Sequence, residues 1–231
     1  MKRIGMIGGM SWESSLSYYR WINEGVKKSL GGLHSADLLL HSVNFHEIEM
    51  LQRAGRWKEA GDVLAAAGRG LAQAGADFLM ICTNTMHKVA RQVEEGSGIP
   101  LLHIADATGE RICVDGLEKV GLLGTSFTME EDFYKGRLAE NFGLEVLVPD
   151  EKARAEVHRV IYEELCRGQV KASSQRFFLE TVEALCQRGA EGVILGCTEI
   201  GLLVPPEVSV KTLYDTTKVH VDAAVALTLE G

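Results

Sequence analysis

Short apolar runs alternate along the chain with longer stretches in which apolar positions recur at helical spacing. Arg3-Ile4-Gly5-Met6-Ile7, Asp37 to Val43, Phe78-Leu79-Met80-Ile81 and Pro100 to Ile104 read as strands. Between them, Ser11 to Ser29 and the Ala-rich Trp57 to Ala74 read as helices, the second stopped by Gly75. Thr83 or Asn84 is placed to cap the helix after the third strand, and Asp106 to open another. The series then restarts. Lys119 to Leu123, Leu144 to Val148, Val193-Ile194-Leu195 and Val210 to Leu213 read as strands. Lys152 to Arg167 and Ser173 to Arg188 read as helices, with a last helix from about Asp215. Strands alternating with helices predict an α/β fold, a parallel sheet with helices on both faces.

The second half repeats the first. Gly75-Ala76-Asp77 and Gly189-Ala190-Glu191 each lead through an apolar strand into Cys-Thr, and the two cysteines stand 115 residues apart (197 − 82). Ile4-Gly5-Met6-Ile7-Gly8 and Val120-Gly121-Leu122-Leu123-Gly124 are 116 apart (120 − 4), and Leu102 to Asp106 resembles Lys211 to Asp215. Three matches in one order at nearly one offset predict two similar α/β halves. In open parallel sheets, ligands bind outside the carboxyl ends of the strands. Cys82 and Cys197 each follow a strand directly, so two facing halves would line one cleft with both thiols.

Composition narrows the function classes. The chain has 231 residues, is 46% hydrophobic but only 6% aromatic, and holds 25 Gly and 4 Pro, which suits a core of small aliphatics with many strand-to-helix turns. A net charge of −8 with no basic stripe argues against nucleic acid as a partner. The apolar run at Ile4 to Met10 is broken by Gly5, Gly8 and Gly9 and is too short for a signal peptide. No stretch approaches ~18 uninterrupted apolar residues, so no membrane span is expected and the reading is cytoplasmic. Gly5 to Met10 lacks the spacing of a dinucleotide loop, and no acidic residue ends the second strand, which argues against NAD. His87 lies five residues after Cys82, but zinc needs three or four ligands and no second cluster accompanies it, so no metal is expected. Five cysteines, an odd number without a CxxC, give no disulfide framework. Cys113, Cys166 and Cys186 read as packing residues, Cys166 with the alternative of a wall of the site.

Inverting an α-carbon requires an acid/base group on each face of the substrate. One thiol per half meets that need. Cysteine thiols ionise more readily at helix N-termini, and Thr83-Asn84-Thr85 and Thr198-Glu199 each begin one, so the reading expects a stabilised thiolate. The same turns, with Gly8-Gly9-Met10-Ser11 and Gly124-Thr125-Ser126-Phe127-Thr128, offer N–H and hydroxyl donors to a carboxylate. The substrate-binding set expected from these turns is Met10, Ser11, Thr83, Asn84, Thr85, Thr125, Ser126, Thr128, Thr198 and Glu199, around the catalytic Cys82 and Cys197. Glu199 reads equally as a helix cap or as a group that tunes Cys197.

Gly8-Gly9-Met10, Cys82-Thr83-Asn84-Thr85, Gly124-Thr125 with Thr128, and Gly196-Cys197-Thr198-Glu199 resemble the motifs of the aspartate/glutamate racemase family. The resemblance implies a pyridoxal-independent two-base mechanism, two pseudo-symmetric parallel-sheet domains of three layers with the site in the cleft between them, and a homodimer. It also implies that the last helix returns to the first domain, giving 1–104 with 214–231 and 105–213. Aspartate-specific members carry a basic residue just after the second strand and a Lys within the helix after the sixth; Ile48 stands near the first position here and Cys166 at the second. A side-chain carboxylate would lack its partner, a heavy desolvation cost. Asn44 to Arg53 resembles a broad-specificity bacterial branch, with Gln52 as a polar substrate contact and Arg53 as a possible partner for acidic substrates. Alternatives are a maleate isomerase or decarboxylase on the same scaffold, or a non-catalytic amino-acid-binding protein.

Overall fold

The computed structural model describes residues 1–205, 209 and 211–230. The chain divides into two compact units, Met1–Ile104 with His220–Gly231, and Ala105–Val219.

In the first unit, β1 (Ile4–Gly8) lies between β2 (Leu38–Ser42) and β3 (Phe78–Ile81), all parallel. Both flanks of the sheet are covered. On one side α3 (Trp57–Gln73) and α4 (Ala90–Ser97) build a core with Ile7, Leu64, Leu71, Leu79, Ile81 and Val93. On the other, Tyr18, Ile22 and Val26 of α1 (Trp12–Leu30) pack with Met6, Phe78, Met80 and the Cys82 side chain. Val221, Ala224 and Val225 of the last helix complete that side. β1 and β3 are therefore buried on both faces, which is why their sequences are unbroken apolar runs rather than alternating ones. A short helix, α2 (Phe45–Arg53), which the apolar pattern does not announce, follows β2.

The second unit opens with α5 (Ile104–Val114) and has a four-stranded parallel sheet, ordered β5 (Glu145–Leu147), β4 (Lys119–Gly124), β6 (Gly192–Gly196), β7 (Thr212–Asp215). Its helices are α6 (Ser126–Glu130), α7 (Asp132–Phe142), α8 (Glu151–Glu163), α9 (Ala172–Gln187) and the single turn α10 (Ile200–Leu203). The final helix, α11 (Thr216–Leu229), starts in this unit and runs into the first.

The sheet orders match, β2-β1-β3 against β5-β4-β6, as the sequence repeat predicts. Three details differ from the sequence reading. The strand expected at Pro100 to Ile104 is reduced to one bridge, Leu79 to Leu101. Its counterpart β7 is a full strand; the expected start, Val210, lies outside the described residues. Because Tyr214 and Asp215 pair with β6, residues 214–219 stay with the second unit and the chain returns at His220. The helix expected over Lys152 to Arg167 ends at Glu163, and a 3-10 turn, Leu165–Arg167, carries Cys166. Buried Glu164 fixes that break, accepting from Ser174 Oγ at 2.6 Å and pairing with Arg159 and Lys171. No helix among the described residues is long and apolar enough to cross a membrane.

Candidate active site

Cys82 directly follows β3, and Cys197 directly follows β6, the equivalent strand of the second unit. Each stands at the carboxyl end of a parallel sheet, where loops rather than ladders satisfy the backbone and donors are free to meet a ligand.

Around Cys82 the first unit is tightly tied. The Cys82 N–H donates to Ile7 O at 2.9 Å, and its carbonyl accepts from Ser14 Oγ at 3.1 Å. Ser14 belongs to the first turn of α1, whose N-cap Ser11 accepts from Ser14 N at 3.2 Å. Gly9 N donates to Ser15 Oγ at 2.8 Å, and that hydroxyl donates on to Ser11 O at 3.0 Å. Gly9 has φ 93°, and a Cβ there would stand 2.2 Å from Val43 O, so only glycine fits this turn. Met10, in the expected binding set, puts its side chain into the core beside Ile7 and Ile48.

Thr83, Asn84 and Thr85 lead into a 3-10 turn, Thr85–Val89. Asn84 occupies its N-cap position in a helical conformation and makes no side-chain cap bond, unlike the expected cap. His87, three percent exposed, braces this turn. Its Nδ1 lies 2.8 Å from Thr83 O and its Nε2 3.2 Å from Ile104 N. A carbonyl can only accept and an amide N–H can only donate, so the ring is neutral with its proton on Nδ1. The His87 ring meets His103 at 4.5 Å between centroids and His220 at 5.9 Å. His220 accepts from Tyr18 OH and donates from Nε2 to Leu102 O, both at 2.9 Å; burial pushes its pKa down to about 4. Gln52 is buried and donates from Nε2 to Met86 Sδ at 3.0 Å, which brings it beside the same turn. Ile48 is a core residue. Arg53 is exposed and paired with Glu49.

In the second unit, Glu199 dominates the surroundings of Cys197. Its Oε2 accepts from Cys197 Sγ at 3.0 Å and from Thr198 Oγ1 at 2.7 Å, and it makes no cap bond to α10. Of the two roles the sequence leaves open, contact with the thiol is the one formed. The neighbouring β4 turn is built from Thr125, which caps α6 by accepting from Thr128 N at 3.3 Å and meets the Thr128 hydroxyl at 3.1 Å. Gly124 allows the close approach of β6 here: a Cβ would lie 2.9 Å from Gly196 O. Ser126 N donates to His158 Nδ1 at 3.1 Å, and Ser126 Oγ is equally near. His158, a scattered histidine in the sequence, and His87, set apart there only by its spacing of five residues from Cys82, are thus local partners of the two strand-end turns. The sequence carries no periodic signal for either.

The thiols depart from the expected electrostatics. Burial pushes the Cys82 thiol well above the usual thiol range. Cys197 is raised by burial first, then by the negative charge of Glu199 and by the nearby Cys166. The helix N-terminal effect is weak because it needs many aligned peptide dipoles. Here the helices are a five-residue 3-10 turn and a four-residue turn. Desolvation therefore wins at both thiols. Among the described residues, no group of three or more His, Cys, Asp or Glu is placed to hold a metal ion.

Two like parallel α/β units, each with a thiol at the carboxyl end of the same strand, define the class of scaffold. The chain belongs to the Asp/Glu/hydantoin racemase family, whose model matches residues 7–224. It is 51% identical to a candidate Asp/Glu racemase from Yersinia pestis, with 99% of this chain and 100% of that one covered and a TM-score of 0.93. An aspartate racemase homologue from Pyrococcus horikoshii is 34% identical over 99% of this chain and 100% of its own, TM-score 0.85. An engineered form of arylmalonate decarboxylase shares the fold alone, at 15% identity and TM-score 0.55 over 100% of this chain and 94% of that one.

Proposed function

We propose that the protein is an amino-acid racemase that needs no cofactor, in which Cys82 and Cys197 exchange the α-proton on opposite faces of the substrate. The observation that carries this reading is the equivalence of the two thiols, each directly after the same strand of a like-ordered sheet. In one direction the Cys82 thiolate takes the α-proton and becomes a thiol. The electron pair left on the α-carbon delocalises into the carboxylate. The Cys197 thiol then delivers its proton to the other face and becomes a thiolate. The reverse reaction swaps the roles.

The surroundings suit that division. Glu199 holds the Cys197 proton by a charge-assisted hydrogen bond, so Cys197 enters as the acid. Cys82 is raised by burial alone, and the positive charge of an arriving substrate ammonium offsets that. Thr83, Asn84 and Thr85 on one side, and Thr125, Ser126, Thr128 and Thr198 on the other, are the proposed donors to the substrate carboxylate, with Met10, Ser11 and Gln52 completing the set. The resemblance further suggests a cytoplasmic homodimer.

For the substrate, we propose neutral amino acids over a broad range. Ile48 lies in the core and Arg53 is engaged with Glu49, which supports a site without a dedicated partner for a side-chain carboxylate. A racemisation screen of the proteinogenic amino acids and homoserine, read by chiral chromatography, tests this. Turnover of several neutral amino acids is expected. A preference for aspartate of about a hundredfold or more, the discrimination a dedicated charged anchor supplies, would overturn it.

A further inference from the structure

One edge of the first unit's sheet is open. Among the described residues β2 pairs with β1 alone. Asp37 O accepts from Ile4 N and Val43 N donates to Gly8 O, both at 3.0 Å. Alternate residues of a parallel strand bond to the same neighbour, so Leu39 and His41 also face β1, while Leu38, Leu40 and Ser42 turn their N–H and C=O outward. Proteins ordinarily blunt such an edge with Lys, Pro or a bulge. Leu38-Leu39-Leu40-His41-Ser42 has no Lys or Pro and pairs residue for residue with β1, without a bulge.

An apolar stripe runs beside this edge. Trp12, Leu16 and Tyr19 share one face of α1 and are 64%, 59% and 49% exposed. Asn23 continues that face, and its Oδ1 accepts from Ala36 N at 3.0 Å, just before β2, so the face looks toward the open edge. The other flank of α1 is covered: a Cβ on Gly25 would stand 2.8 Å from Val225 of α11. Leu40, 44% exposed, adjoins the stripe, since a Cβ on Gly8 would stand 2.6 Å from Ser15 Oγ and 2.9 Å from Leu40 Cδ1. The four side chains together expose on the order of 400 Å², the size at which a patch on a monomer marks an interaction surface.

The geometry fits a second copy of this chain. The outward-facing residues are centred on Leu40. In an antiparallel pairing about a two-fold axis there, Leu40 exchanges both bonds with its own counterpart and Leu38 exchanges them with Ser42, so each outward N–H meets a C=O. A residue on the axis meets itself, and here it is an uncharged leucine. Strands lie about 4.8 Å apart, so α1, which covers β1 and β2, comes to about 10 Å from its counterpart, the spacing of packed helices. Because Ser15 and Leu40 both adjoin Gly8, the axis passes α1 near Leu16. Trp12 of each copy then faces Tyr19 of the other, and Glu13 faces Arg20, so unlike charges meet at the rim.

We propose that the protein self-associates through β2 and α1, joining two three-stranded sheets into one across a two-fold axis at Leu40. This gives a surface to the homodimer suggested above and involves neither thiol.

The test is sedimentation velocity of the full-length protein, with the fold of each variant checked by circular dichroism. The parent is expected to run as a dimer. Leu40→Lys sets like charges against each other on the axis and weakens the dimer about a hundredfold or more. Leu40→Asp does the same, and an equimolar mixture of the two variants associates more tightly than either alone, because position 40 meets itself. Leu16→Glu, on the exposed face of α1, also weakens the dimer and serves if an edge variant fails to fold. A monomeric parent overturns the proposal. A dimer that keeps the parent's affinity in Leu16→Glu or Leu40→Lys overturns it and puts the interface elsewhere. A Lys/Asp mixture no tighter than its components overturns the pairing at Leu40. Sedimentation needs no substrate, so its outcome is separate from that of the racemase reading.

Discussion

Glu199→Gln isolates the group that sets the protonation of Cys197. The carboxylate oxygen stands 3.0 Å from the sulfur, and both residues are buried. A thiolate would face that negative charge directly. At an effective dielectric of ~20 the repulsion is at most about 5 kcal/mol, or ~4 pKa units. An anion beside a thiol raises its pKa, so removing the anion lowers it. Even a quarter of that interaction moves the ionisation down by about one unit, and the lost thiol-to-carboxylate hydrogen bond acts in the same direction. The assay is the rate of iodoacetamide alkylation against pH, with Cys197 followed by peptide mass spectrometry. The midpoint for Cys197 is expected to fall by about one unit or more in Glu199→Gln while that of Cys82 stays in place. A midpoint for Cys197 that is unchanged or higher refutes the reasoning.

Three further outcomes follow from the same physics. His87→Ala leaves Thr83 C=O and Ile104 N–H without their side-chain partner, about 1–3 kcal/mol each; a urea midpoint equivalent to less than about 1 kcal/mol of lost stability contradicts the brace. His220 has a folded pKa of about 4 against an ordinary ~6.5, so its contribution is complete above pH ~6.5 and is lost as the pH falls toward 4. The loss, on the order of 3 kcal/mol, should be visible as a steeper acid destabilisation in the parent than in His220→Gln, and equal pH dependence in the two contradicts the assignment. Gly9→Ala combines an unfavourable φ with a collision at Val43 O and should cost more than about 2 kcal/mol in the urea midpoint, whereas near-parent stability shows that the turn can relax.

How much of this was legible in the sequence depended on burial. β1, β3, β4 and β6 are buried on both faces, so their apolar runs stand out against any surroundings. α2 and the α6–α7 pair escaped because their signals are short or interrupted; α6 is five residues long and Glu131, extended, separates it from α7. The positions of the two thiols were legible through the repeat. Their protonation was not, because it depends on desolvation and on a contact between Cys197 and Glu199 that neighbouring positions in the sequence do not specify. Several expected donors are engaged locally: Ser11 caps α1, Thr125 caps α6, and Ser126 is held by His158. Ser14 and His158 had no motif to reveal them, since each acts through contact with a distant segment, and His87 was marked only by its spacing from Cys82, with no signal for its bonds to Thr83 C=O and Ile104 N–H.

Exchange of the α-proton in deuterium oxide reads the two-thiol mechanism most directly. The parent protein should racemise its substrate with one solvent deuteron entering at the α-carbon of the inverted product. Cys82→Ser and Cys197→Ser should each lose racemisation, because a serine hydroxyl, with a far higher pKa than a thiol, cannot take the proton on its face. A parent that inverts without incorporating deuterium, or either variant racemising at the parent rate, would contradict proton transfer between Cys82 and Cys197.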